Sequence, residues 1–198
     1  MFGNYYKVIM AVVAAFCMVA PTPTNGNVLF LKENITVLVS PPDTVIVNGE
    51  YFFGNVDSNN IVTPLYYPFP IDTATNYPTL IIVKDARTGK PIEFDRSDQG
   101  INFQVKVKKG DTSRVTVNYK QHVLKPQGRY ILTTTSAWER PLDDSRYSVS
   151  VPRETTLAYL SYACDSVEVT SKNLIYHFFR TNFMPDRDLI FTWTKRPQ

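Results

Sequence analysis

Cysteine is nearly absent from the 198-residue chain, with Cys17 and Cys164 the only two. Histidine is equally scarce, at His122 and His177, far apart in sequence and without a partner at metal-ligand spacing. No Cys-x-x-Cys, His-x-His or His-Glu-x-x-His occurs, which excludes the common zinc motifs. A Gly-x-Ser-x-Gly elbow is missing, and no glycines cluster into a phosphate-cradling loop. Neither sign of charge dominates: 21 basic against 18 acidic side chains give +3, so there is no whole-chain pull toward nucleic acid. Sustained 3.6-residue periodicity is also lacking, and only one long apolar run exists.

That run, Val8 to Ala20, follows Lys7 and precedes Pro21-Thr22-Pro23-Thr24-Asn25-Gly26. It is too short for a membrane helix, which needs about 20 residues, and has the layout of a secretory signal peptide cut after Gly26. Acylation at Cys17 needs a small residue before it, and Phe16 stands there. The expectation is an exported chain, periplasmic or extracellular, with residues 1–26 as signal peptide, 27–198 as one domain and no membrane span after cleavage. An exported chain that keeps only Cys164 gains no internal disulfide, and Cys164 reads as a small core hydrophobe.

What the sequence has in abundance is alternation. Ile101 to Lys108 carries apolar residues at odd positions and polar ones at even positions, and Val115, Val117 and Tyr119 continue the pattern. A hairpin through Gly110-Asp111-Thr112 would set Val107 against Val115 and Lys108 against Arg114. Further strands are expected at Ile35–Ser40, Val45–Val56, Ile61–Phe69, Thr79–Lys84, Ile92–Asp95, Tyr130–Thr135, Tyr147–Val151, Leu157–Tyr162, Ser166–Thr170, Leu174–Phe179 and Leu189–Trp193. Pro64 and Pro68 place their strand at an edge, and Gly49 marks a bulge inside its strand. Many short strands without helices define an all-β fold, an antiparallel two-sheet sandwich.

Chemistry-bearing candidates are few, and no catalytic residue, metal site or cofactor is expected. Asp186-Arg187-Asp188 and Asp57-Ser58-Asn59 space oxygens as calcium ligands do, but Asx turns account for both. Asp143/Asp144 and Asp186/Asp188 would serve a glycan hydrolase only if two carboxylates faced each other across a cleft. Asn34-Ile35-Thr36 is a glycosylation sequon that matters only in a eukaryotic host. The binding candidates are the aromatic lip Tyr66, Tyr67 and Phe69, stiffened by prolines, and the basic face Lys106, Lys108, Arg114 and Lys120.

Gly49, Tyr51, Phe53 and Asn55, then Leu65-Tyr66-Tyr67-Pro68-Phe69-Pro70, then Lys84 through Gly89 to Ile92 resemble the opening of a vault/inter-alpha-trypsin (VIT-like) domain. The segments Arg129–Thr135, Arg140-Pro141-Leu142 and Asn182–Leu189 are similar to those of uncharacterised exported bacterial β-proteins. The C-terminal third departs from the VIT pattern, and no von Willebrand-type partner domain is expected within these 198 residues. The resemblance implies a non-enzymatic exported β-sandwich with a scaffolding or interaction role, and it carries over no catalytic residue. The expected function is therefore mediation of protein or envelope contacts. The partner would be another envelope or secreted protein, or an anionic or glycan polymer, and not nucleic acid. A carbohydrate-binding module stacking sugars on Trp138 with Tyr66 or Tyr67 is the alternative.

Overall fold

Alternation of buried and exposed side chains recurs along most of the chain. The computed structural model describes residues 28–195, so the expected signal peptide lies outside the described residues. Thirteen strands form: β1 Val28–Ser40, β2 Thr44–Asn55, β3 Ile61–Pro68, β4 Leu80–Asp85, β5 Phe94–Ser97, β6 Gly100–Val107, β7 Thr112–His122, β8 Gln127–Tyr130, β9 Leu142–Pro152, β10 Thr155–Leu160, β11 Ser166–Val169, β12 Asn173–Phe183 and β13 Leu189–Lys195. One layer is a seven-stranded sheet in the order β11-β12-β9-β1-β2-β7-β4; the other is split into β3-β6-β5 and β10-β13-β8. A single cluster of buried residues, among them Ile35, Val37, Val117, Ile101, Val149 and Phe191, draws on all three sheets. The fold is an all-β sandwich, antiparallel throughout except where β1 runs parallel to β9.

The hairpin expected between Ile101–Lys108 and the strand after it does not form. β6 pairs with β3 and β5, whereas β7 pairs with β2 and β4. Both strands keep the predicted alternation, with Val105 and Val107 1% exposed and Val115 and Val117 at 1% and 0%. Burial alone cannot distinguish apolar faces lying side by side from faces meeting across the core, and here they meet across it. The turn at Lys108–Asp111, with Gly110 at φ 62°, carries the chain between layers. Lys108 and Arg114 are therefore not ladder neighbours.

Two other expectations shift. β2 does run through Gly49, but in continuous register on both sides; the bulge lies in β1, where Phe30 pairs with Phe53 and Lys32 with Phe52, leaving Leu31 extra. Tyr130–Thr135 is not a strand throughout. β8 ends at Tyr130, and Thr133–Trp138 is a single 3-10 helix. Asp188 Oδ1 accepts the Leu132 and Thr133 amides (3.0 and 3.2 Å) and the Thr133 hydroxyl (2.9 Å), which removes those groups from any ladder and turns the chain. The edge placement of the Pro64/Pro68 strand holds, since β3 borders its sheet.

Gly128 on β8 faces Phe191 on β13, and the ring lies across the glycine, where an added methyl would collide with it. Phe191 is fully buried and has nowhere to go. Gly128→Ala is therefore expected to cost about 1–3 kcal/mol by overpacking, measured as a lowered urea midpoint; an unchanged midpoint would mean that the β8–β13 register is wrong.

Candidate functional site

The bulge at Leu31 determines what faces the core at the start of β1. Strict alternation back from Ile35 would bury Glu33 and turn Phe30 outward; the extra residue lets both point inward. Glu33 is thus an acidic side chain only 3% exposed. Tyr130 on β8 donates its hydroxyl to Glu33 Oε2 (2.8 Å), and Tyr147 on β9 donates to Oε1 (2.8 Å). With Tyr130 committed as donor to the carboxylate, its oxygen accepts from Tyr51 Oη at 3.0 Å, and Tyr51 accepts from Tyr67 Oη at 2.7 Å. The result is a relay from Tyr67 through Tyr51 and Tyr130 to Glu33.

Glu33 has no counter-ion among the described residues. The neighbouring Lys32 pairs with Asp144 at 3.8 Å, and Arg140 with Asp143 at 2.7 Å. Burial pushes the Glu33 carboxyl up to about 7, against the downward pull of its two phenol hydrogen bonds. The same burial, reinforced by the carboxylate, pushes Tyr51, Tyr67, Tyr130 and Tyr147 well up, so all four stay neutral near pH 7.

Above the carboxylate lies a recess of about 70 Å³, walled by Phe30, Tyr51, Phe53, Tyr67 and Trp138 with Glu33 in its lining. Trp138 is set there by the 3-10 helix, its ring 5.6 Å from Phe30 and 5.7 Å from Phe53. Arg140 fastens the following turn by donating to the Phe30 carbonyl at 2.9 Å, beside the bulge. Tyr66, about half exposed, stands at the mouth.

A second concavity, of about 340 Å³, opens where β4, β6 and β7 end. Arg87, Lys106, Lys108 and Arg114 line it with Asp85 and Asp111. Arg87 lies 4.0 Å from Asp111 and Arg114 3.5 Å from Glu50, while Lys106 and Lys108 project into solvent. Asp85 caps its own turn, and the Thr88 amide holds its carboxyl below the usual range.

The candidate residues read from the sequence are thus divided. Tyr66 and Tyr67 belong to the recess, but Phe69 is core, 2% exposed and 5.0 Å from Tyr119. Lys106, Lys108 and Arg114 share the groove; Lys120 does not line it and stands opposite Ile46 and Leu80, toward the other end of β7. Asp186 is held by Arg187 (3.0 and 2.8 Å), and Asp57 forms an Asx turn with Asn59. Among the described residues no three His, Cys, Asp or Glu side chains group as for a metal. His122 contacts Asp43 and His177 contacts Glu168, both partly exposed. Asn34 of the sequon sits mid-strand, its amide on Glu50 at 3.2 Å. Cys164 is free and half-buried against the core. Glu33, Tyr130 and Tyr147 were not singled out by sequence, although Glu33 shares the odd phase of Ile35, Val37 and Val39.

No family model and no curated protein matches this chain. Among solved structures it is similar to a "putative nutrient binding protein" of Legionella pneumophila, with 13% identity, TM-score 0.66, and coverage of 84% of this chain and 67% of that one. It is also similar to a substrate-bound mutant of an M1 zinc metallopeptidase from Deinococcus radiodurans, with 11% identity, TM-score 0.54, and coverage of 87% of this chain but 44% of that one. The chain spans about two thirds of the first protein and less than half of the second. At these identities the likeness is one of fold.

Because Glu33 takes up its proton more readily folded than unfolded, it stabilises the fold at low pH and that contribution fades as pH rises from about 4.5 to about 7. Relative to Glu33→Gln, the wild type is expected to lose roughly 3 kcal/mol across that window and little above it. Urea unfolding of both proteins at several pH values measures this; parallel curves would show that the carboxyl is not perturbed.

Proposed function

We propose that this chain is a non-catalytic binding module, exported through the segment at 1–26, and that its ligand site is the recess walled by Trp138. The observation that carries the reading is a buried carboxylate without a counter-ion among the described residues, lining an aromatic pocket open to solvent. Concave apolar sites with a few convergent polar groups and a perturbed acid are where ligands bind. The fold it shares with a protein described as nutrient-binding is compatible with this role. The VIT-like resemblance, itself a proposal, points the same way, toward interaction rather than turnover. Support for a non-catalytic role also comes from the carboxylates. Asp143 and Asp144 are each engaged by a basic side chain, and Asp188 by amides and a hydroxyl.

A flat sugar platform is less well supported than a recess. Among the described residues the near-parallel ring pairs are Phe30–Phe53 and Phe191–Trp193, and all four rings are core. The Lys106/Lys108 groove favours a second contact, with an anionic polymer or acidic protein surface of the envelope.

Tryptophan emission gives the direct test, since only Trp138 borders the recess and Trp193 is buried. Titration with panels of small amines, sugars and short peptides should shift wild-type emission for at least one class. Phe53→Ala, which strips the wall beneath Trp138, should weaken that response at least tenfold; silence across all classes would refute the pocket. For the groove, Lys106→Glu with Lys108→Glu should weaken binding of dextran sulfate about tenfold in low salt, where the wild-type interaction is strongest. Equal binding by the variant would remove the groove from consideration.

A further inference from the structure

The recess holds one half of an ion pair. Glu33 is buried, both its oxygens accept phenol hydrogen bonds, and no Lys, Arg or His among the described residues neutralises it. A carboxylate in that position is costly while it stays charged, and the cost falls sharply when a cation with hydrogen-bond donors enters. Each carboxylate oxygen has a second lone pair beyond the one used by its tyrosine. Around it stand Phe30, Phe53, Tyr51, Tyr67 and Trp138, whose ring faces attract cations.

Size narrows the ligand. The recess is small, about 70 Å³, and open to solvent, so it can enclose a head group while the rest of a ligand stays outside. That suits an ammonium nitrogen with its first carbons better than a bulkier trimethylammonium. Tyr66, about half exposed, also lines the recess, which opens to solvent and leaves room for a stem to run outward. An anion would meet the carboxylate, and a calcium ion would lack the six to eight oxygens it requires.

We infer that the recess captures a primary alkylammonium group, its nitrogen paired with Glu33 and its first carbons enclosed by Trp138, Phe30 and Phe53. This rests on the reading of the recess as the ligand site. The groups facing Glu33 are Tyr51 on β2, Tyr67 on β3, Tyr130 on β8 and Tyr147 on β9, all neutral up to high pH. Glu33 alone therefore sets the pH dependence: binding tightens as pH rises through about 7 and levels off above it, with roughly tenfold lost per pH unit below.

The test is calorimetric titration of the wild type, Glu33→Gln and Trp138→Ala with n-butylammonium, n-butanol, tetramethylammonium and Nα-acetyl-lysine amide. Butylammonium is expected to bind the wild type, to lose at least tenfold on Glu33→Gln and to be lost on Trp138→Ala, with butanol and tetramethylammonium weaker throughout. Binding of acetyl-lysine amide as well as butylammonium would identify lysine side chains of a protein or peptide as a source; binding of butylammonium alone would identify free amines. Butanol binding as tightly as butylammonium, or equal affinity for wild type and Glu33→Gln, would overturn the ammonium assignment while leaving the recess a ligand site. No heat from any probe with the wild type, together with silent tryptophan emission, would overturn both. Should Glu33→Gln fail to fold, the wild-type pH profile decides: affinity for butylammonium independent of pH between 5 and 8 refutes the pairing with Glu33.

Discussion

Glu33 and the phenols around it tie together three sheets that share no strand. The carboxylate belongs to the seven-stranded layer, Tyr130 to the sheet of β8, β10 and β13, and Tyr67 to the sheet of β3, β5 and β6. Tyr51 bridges the last two, 3.0 Å from one hydroxyl and 2.7 Å from the other. Apolar contact holds the layers together but tolerates sliding, because it has no direction. A chain of short hydrogen bonds ending on a carboxylate fixes their relative position, and in a low-dielectric interior each bond polarises the next. The β1 bulge is what makes this possible, since without it Phe30 and Glu33 could not face the same side.

This arrangement is costly in stability terms and specific in geometric ones. A well-packed hydrophobic residue in place of a buried acid is often neutral or stabilising, so Glu33 is poorly explained as a device for holding the fold alone. Its neighbours are also expensive choices. Four buried or half-buried tyrosine hydroxyls each need a partner, and they obtain it from one another and from Glu33. A network of this kind, open on one side to an aromatic recess, would serve a binding site well: it holds a carboxylate acceptor in place before any ligand arrives.

Strand phase is local and was legible; strand partnership is not local and was not. The alternation of Ile101 to Val107 and of Val115 to Tyr119 identifies the buried faces, and the structure buries those faces. Nothing in that alternation says that β6 and β7 oppose each other across the core, because either arrangement hides the same valines. The same limit applies to the site. Tyr66 and Tyr67 stand out because prolines surround them, and Lys106 and Lys108 because they are charged on an alternating strand. Lys120 joins them by phase but is separated by the length of β7. The bulge takes Phe30 out of alternation just where the strand begins, whereas Glu33 keeps the phase of the strand. Its one sequence signature is an acid in phase with Ile35, Val37 and Val39. Thr133 to Thr135, strand-forming by propensity, turn instead because Asp188, far along the chain, takes the Leu132 and Thr133 amides.

Dividing one layer into two small sheets creates the recess. A continuous second sheet would cover the middle of β1 and β2 with strand backbone and leave no opening there. Here β3 and β6 supply Leu65, Tyr66, Tyr67 and Phe103 on one side of the gap, Tyr130 closes the other, and the 3-10 helix lays Trp138 across it. The groove at Lys106 and Lys108 has a different origin, the end of the sandwich where the chain crosses between layers. One concavity therefore presents a buried carboxyl among aromatic rings and the other exposed lysines among charged side chains. The first can select by size and by a single desolvated contact, whereas the second can only attract, in a manner that salt weakens. If the recess is the ligand site, selectivity resides at the join between the two small sheets.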